Sequence, residues 1–265
     1  MLPGWIFEVS DDVEVRPTYP PGGPGRYDLS CAMRVLTWNV LHRVHAERHS
    51  EAAIEPWPTE ALRVAALVKR ITRALENEAV EVVLLQEVSG DVLTALRTLP
   101  RRAVLNHAFP RVPRQTGRTL DDPTEHLVVI APPGTRIERA HTFASDPGKG
   151  VVVVTLPGGT RVGSTHVTWG PKGDAQLEAL AALFRELSPL CIGGDFNCAR
   201  EVISKRLSGV TFALPPHGSL RTRPGSQAAD IDHLLCTGCQ FEDVRVLDHE
   251  LLSDHRPVLA TLCMG

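Results

Sequence analysis

Most side chains in this chain able to hold a metal ion or steer a proton stand at, or just past, the ends of short apolar runs. Val35-Leu36-Thr37-Trp38 runs into Asn39, Val82-Val83-Leu84-Leu85 into Gln86 and Glu87, Val162-Gly163-Ser164-Thr165 into His166, and Cys191-Ile192-Gly193-Gly194 into Asp195 and Asn197. With Asp232, Asp254 and His255 added, the set comprises the carboxylates Glu87, Asp195, Asp232 and Asp254, the amides Asn39 and Asn197, and the imidazoles His166 and His255. Oxygen-rich donors of this kind suit a hard cation such as magnesium, and carboxylates brought together without a cation would repel one another. Phosphate ester cleavage needs an activated water, neutralisation of charge on the phosphoryl oxygens and a stabilised leaving oxygen. The set holds a candidate for each task.

Side chains delivered by strand ends form a crevice only if the strands lie in a sheet with those ends at one edge. Short β-branched runs alternate with helical stretches from Arg34 onward, the pattern of a layered α/β architecture. Strands are predicted at Val35 to Trp38, Glu81 to Leu85, Leu127 to Ala131, Gly150 to Leu156, Arg161 to Thr165, Leu190 to Gly193, Ile231 to Cys236 and Val258 to Leu262. A helix from Thr59 to about Asn77 places Val64, Val68, Ile71 and Leu75 on one stripe, with Thr59 as N-cap; a second, from Asp174 to Leu187, does the same with Leu177, Leu180, Phe184 and Leu187. Residues 1 to 32, rich in proline and glycine, read as a leader or linker, and residues 33 to 265 as the catalytic domain.

The 265 residues, 43% of them hydrophobic, suffice for one large α/β domain. A net charge of −3 argues against wrapping a long duplex, because each phosphate neutralised normally takes a Lys or Arg. No run approaches the roughly 20 apolar residues that span a bilayer, and the start of the chain lacks a signal-like segment, so no membrane association and a cytoplasmic location are expected. The six cysteines are sparse and read as reduced thiols, with Cys236 and Cys239 flanking a turn at Thr237-Gly238. Ser253, Asp254 and His255 are consecutive and diverge, which disfavours a hydrolase triad.

The strings TWNVL (37 to 41), LLQEV (84 to 88), STHVTW (164 to 169), GGDFN (193 to 197), DIDHLL (230 to 235) and LSDHRPV (252 to 258) resemble, in order, the motifs of the endonuclease/exonuclease/phosphatase superfamily. The resemblance implies an α/β fold of two sheets packed as a sandwich with helices on the outer faces, as in DNase I, and a bound Mg²⁺ or Mn²⁺. It implies that Asn39 and Glu87 hold the metal with Asp254 nearby. His166 would contact the scissile phosphate, Asp195 and Asn197 would position water and phosphate, and Asp232 would orient His255. The sequence departs from common family patterns at Asp230, where a basic residue is frequent, and at His233, where an aromatic is expected; both positions are expected beside the site.

Substrate contacts are expected from Trp169, as a stacking platform, and from Arg111, Arg114 and Arg118 in the segment 101 to 118, which with Arg101 and Arg102 and no acid reads as a local positive patch on a loop. His42, His45 and His49, interleaved with arginines, read as a solvated or phosphate-facing loop. The stretch THVTWGPKGDAQLEAL resembles deadenylase-like members, which implies a nucleic-acid substrate, single-stranded RNA at its 3′ end. The alternatives are a DNA nuclease and a phosphomonoesterase acting on an inositol phosphate or lipid head group, for which the same arginines would serve.

Overall fold

The structure, a computed structural model, describes residues 32–49, 51–115, 117–225 and 229–264. The expected leader, residues 1 to 32, lies outside them except for Ala32. In chain order the strands are β1 (Ala32–Asn39), β2 (Val82–Ser89), β3 (Ala103–Ala108), β4 (Glu125–Ala131), β5 (Arg136–Thr142), β6 (Gly150–Thr155), β7 (Arg161–His166), β8 (Leu190–Asp195), β9 (Thr211–Phe212), β10 (Asp232–Thr237), β11 (Cys239–Val246) and β12 (Val258–Met264). The helices are α1 (Arg43–His49), α2 (Glu60–Asn77), α3 (Gly90–Leu96), α4 (Pro171–Leu187) and α5 (Arg200–Arg206).

Two six-stranded sheets form, ordered β11-β12-β1-β2-β4-β3 and β5-β6-β7-β8-β10-β9. Their facing surfaces meet in one core that includes Val35, Val82, Leu84, Leu127, Val129, Val152, Val154, Val162 and Leu234. Alternate residues of the same strands, Leu36, Val83, Leu85 and Val128, turn outward under α2 and α3, while Val151, Val153 and Ile192 turn outward under α4 and α5. Central strands are thus apolar on both faces, as strands covered on both sides must be. Each fully buried Val or Leu contributes about 1.5–3 kcal/mol. Thr59 caps α2 by accepting from Leu62 N, and Val64, Ile71 and Leu75 of its stripe are buried.

Strand direction sets where the polar ends fall. β1 and β2 are parallel, as are β7 and β8, so their C-terminal ends share an edge. β4 runs antiparallel to β2, β6 to β7, and β10 to β8, which brings the first residues of β4, β6 and β10 to that same edge.

Two expectations are corrected. The segment 101 to 118 is not a loop throughout: Ala103–Ala108 pairs with β4 as the edge of its sheet. That strand, with a rise of about 3.3 Å per residue, separates Arg101 and Arg102 from Arg111, so the arginines do not form one patch. The His42 to His49 segment is likewise not a loop: Arg43–His49 forms the short helix α1, with His42 buried just before it, while His45, bonded to Glu125 at 3.0 Å, and His49 do face the cleft at the strand ends. The two thiols at 236 and 239 do flank a turn, with Gly238 at φ 67° between β10 and β11.

Candidate active site

The site begins where β2 breaks its pairing with β4. The register shifts between Leu85 and Val88, and Glu87 takes a left-handed φ of 56° there. A bulge re-aims a side chain that regular pleating would direct elsewhere. Glu87 Oε2 accepts from His42 N at 3.0 Å, and its Oε1 accepts from Asn39 Nδ2 at 3.1 Å. Asn39, 1% exposed at the end of β1, donates through the same nitrogen to Asp195 Oδ2 at 3.0 Å, while its Oδ1 accepts from Leu41 N. One amide therefore ties the carboxylates of both sheets together.

Across the sandwich, β7 ends in His166 and β8 in Asp195, paired in register. His166 Nε2 lies 3.3 Å from Asp195 Oδ2 and 3.8 Å from Glu87 Oε1. Asn197, at φ 49°, donates its backbone N–H to Asp195 Oδ1 at 2.8 Å and its amide to Val167 O at 2.9 Å, which fixes its side chain beside His166. Burial alone would raise the Asp195 carboxyl, but His255 and His166 hold it well below the usual carboxylate range. Glu87 behaves likewise: burial opposes its charge, and His45, His166 and Lys149 outweigh that opposition.

The glycine before Asp195 is required by this closeness. A Cβ at Gly194 would sit 2.0 Å from the carbonyl oxygen of Thr165, so the β7–β8 pair would have to part. Gly194→Ala is expected to destabilise the fold by about 1–3 kcal/mol, as overpacking does. Thermal denaturation of the variant measures it, and an unchanged melting temperature would contradict the packing described.

The third wall comes from the start of β10 and the turn before β12. Asp232, opposite Asp195 in the β8–β10 ladder, holds His255 Nδ1 with both carboxylate oxygens, at 3.0 and 2.9 Å. His255 Nε2 is thereby turned toward Asp195 Oδ2 and Asp254 Oδ2, each 3.9 Å away. Burial favours the neutral ring, but Asp232, then Asp195, push its pKa up to about 10. Ser253 has no part in a triad: its hydroxyl donates to Asn39 O at 2.7 Å and accepts from His255 N at 3.1 Å, stitching this turn to β1. Trp38 packs in the core and adds a bond from Nε1 to His255 O.

A cleft of about 560 Å³ opens over these groups, lined by Glu87, His166, Asp195, Asn197, Asp254 and His255 among others. Asn39 and Asp232 lie just beneath it, bonded to its lining residues. Of the expected substrate contacts, Arg111 lines the cleft; Arg114, Arg118 and Trp169 are not among the lining residues. Arg118 pairs instead with Asp121, and Trp169, 72% exposed, stands in the turn before α4. His233 faces away from the site as the next residue along the β10 pleat, bonded to Cys198 O and packed edge-on to Phe196 and Phe212. Asp230 pairs with Arg221.

Sequence reasoning missed groups that line the cleft, Lys149 and Arg223 among them, and one buried behind it, Glu125. Lys149 precedes β6, and its Nζ lies 3.0 Å from His166 Nδ1 while also contacting Nε2. Glu125 opens β4 and accepts from His45, and Arg223 reaches Asp254 at 3.2 Å. Lys149 and Glu125 stand at strand starts, and the signal for them is the antiparallel pairing that carries those starts to the site.

A divalent cation fits this donor set. Donor atoms of Glu87, His166 and Asp195 lie within 4.8 Å of one another, and both carboxylates already converge on one nitrogen of Asn39. The partly buried Glu87 and the buried Asp195 aim carboxylate oxygens at one point, which matches the needs of a hard ion, while Asn39 faces them with Nδ2 and could ligate only through Oδ1, which accepts from Leu41 N.

The sequence profile of the Endonuclease/Exonuclease/phosphatase family matches residues 36–255, and the chain belongs to that family. No curated protein matches the chain significantly in sequence. Among solved structures, the fold is similar to that of zebrafish (D. rerio) TDP2 complexed with a single-strand DNA product, at 13% identity and a TM-score of 0.62, covering 87% of this chain and 98% of that one. It is also similar to the human Nocturnin catalytic domain with a bound sulfate, at 14% identity and 0.61, covering 88% and 95%. A conserved protein of unknown function from Enterococcus faecalis matches at 16% identity and 0.63, covering 88% of this chain and 100% of that one. At these identities the likeness concerns the fold.

Proposed function

We infer that the chain is a divalent-metal-dependent phosphoesterase acting on nucleic acid, with single-stranded RNA 3′ ends as its substrate. The observation that carries this reading is the convergence of Glu87, His166, Asp195, Asn197 and His255 on one cleft, with Asn39 linking the carboxylates below it. Asn39 and Glu87 would hold Mg²⁺ or Mn²⁺, with Asp254 nearby, and the ion would neutralise charge on the phosphoryl and leaving oxygens.

The protein's own groups divide the remaining work. Asp195, held ionised and hydrogen-bonded on both oxygens, is a weak base; it orients the attacking water more than it deprotonates it. His255, protonated at neutral pH and fixed by Asp232, presents a charged N–H to a phosphoryl oxygen. Asn197 and His166, 3.4 Å apart in the same cleft, offer further hydrogen-bonding groups.

Chelation should abolish activity, and magnesium or manganese should restore it; full turnover in a demonstrably metal-free preparation would overturn the reading. Product analysis with magnesium on end-labelled single-stranded RNA, single-stranded DNA, duplex DNA and a soluble inositol phosphate tests the substrate. Shortening of the RNA from its 3′ end is expected. Preferred release of phosphate from the inositol phosphate would replace this substrate with the phosphomonoesterase alternative.

A further inference from the structure

The turn between β5 and β6 is built around two cations. Phe143 N donates to Lys149 O at 2.8 Å, and Lys149 N and Asp146 N close successive turns inside that loop. Asp146 braces it further, accepting from Gly148 N at 2.9 Å and Thr168 Oγ1 at 2.9 Å. Lys149 leaves this frame directly toward His166.

Arg111 is held against the same frame. Its backbone N–H donates to Pro147 O at 3.3 Å, and its Nη1 donates to Asp146 Oδ1 at 3.2 Å. Its Nη2 lies 4.0 Å from Glu125 Oε2. The guanidinium lies on Gly148, where a Cβ would meet Nη2 at 2.0 Å and Cζ at 2.1 Å. Asp146 and Glu125 thus hold its two terminal nitrogens, while the side chain stays 40% exposed in the cleft wall. A planar fork held in this way is suited to bidentate phosphate recognition, and a lysine to a point contact.

We propose that Lys149, which closes the 143–149 turn, and Arg111, which packs against that turn from the segment after β3, form an anion subsite that binds a second phosphate of the substrate, the one adjoining the phosphate that is cleaved. The subsite rests on the phosphoesterase reading and narrows it: the preferred substrate carries a neighbouring phosphate, as a polynucleotide does and as a soluble polyphosphorylated compound does.

Binding tests it independently of turnover. Fluorescence anisotropy with calcium in place of magnesium would compare a short single-stranded oligonucleotide with a set in which one linkage at a time is an uncharged methylphosphonate. One position should weaken binding to the wild-type protein tenfold or more. In Arg111→Ala that discrimination should collapse toward unity, and in Gly148→Ala it should fall too, because the added methyl displaces the guanidinium without removing its charge. Thermal melts confirm that both variants are folded. Competition by an inositol polyphosphate, stronger against wild type than against Arg111→Ala, would assign the subsite to a soluble ligand with its chemistry unchanged. Equal wild-type affinity for all the oligonucleotides, or full discrimination in both variants, would overturn the subsite. Position-specific discrimination by a protein that hydrolyses none of these compounds would keep the subsite and remove the hydrolytic reading.

Discussion

Asp195→Ala is expected to lower kcat by at least two orders of magnitude while leaving the protein folded. Asp195 sits at the junction of four other groups: Asn39 and Asn197 donate to it, His166 lies 3.3 Å away and His255 3.9 Å. Removing its charge takes away the proposed acceptor for the attacking water and part of what keeps His255 protonated, so on this reading two functions of the transition state are lost together. Two orders of magnitude correspond to about 2.7 kcal/mol, within the range for one preorganised electrostatic group. Asp195→Asn separates the contributions: its carbonyl oxygen can still accept from Asn197 N, but the negative charge is gone. Turnover should fall nearly as far in Asn as in Ala. His255→Ala should show a loss of similar size. Steady-state kinetics with magnesium, alongside circular dichroism, decides it; near-normal turnover in Asp195→Ala would place the chemistry elsewhere.

The central strands were legible in the sequence and the edges were not. Each predicted strand is present within a few residues, because strands such as Val151 to Val154 are covered on both faces and read as continuous apolar runs. The four unpredicted strands β3, β5, β9 and β11 are the outer strands of the two sheets. Half-exposed sequences such as RIERAHT and CQFEDVRV carry charges along a free edge, which protects against unwanted pairing and erases the apolar signal. The site divides along similar lines. Residues that follow a strand, such as Asn39 and His166, announce themselves after an apolar run. Residues that precede one, Lys149 and Glu125, look like turn residues until the antiparallel partners are known. Asp232, also at a strand start, was found only through its motif. The arginine segment misled because strand spacing was invisible: β3 carries Arg111 far along the chain's path from Arg101.

The loop that follows Asn39 and the turn that carries Asp254 and His255 meet at one buried arginine, and replacing it should damage stability and activity together. Arg63, fully buried on α2, uses its guanidinium to bond Glu60 through Nε at 2.9 Å and Nη2 at 2.6 Å, Val40 O and Leu252 O through Nη1 at 2.8 Å each, and Leu41 O through Nη2 at 2.8 Å. Val40 and Leu41 follow Asn39, and Leu252 precedes Ser253, so this one side chain fixes the backbone behind Asn39, the proposed metal ligand, and behind the His255 imidazole. Arg63→Met would fill much of the space but leave the buried Glu60 carboxylate with only Arg43, at 3.9 Å, and three carbonyls without donors. Breaking a buried pair in this way costs about 3–5 kcal/mol. For a domain of this size each kcal/mol lowers the melting temperature by roughly 2–4 °C, so a fall on the order of 10 °C is expected. Pairing the change with Glu60→Leu removes the stranded charge and should recover part of the stability. It does not restore the carbonyl contacts, so turnover measured well below the melting temperature should remain depressed in the double variant. Recovery of stability and turnover in parallel would show that Arg63 serves the fold alone; stability regained without turnover would show that it positions the two loops on which the site is built.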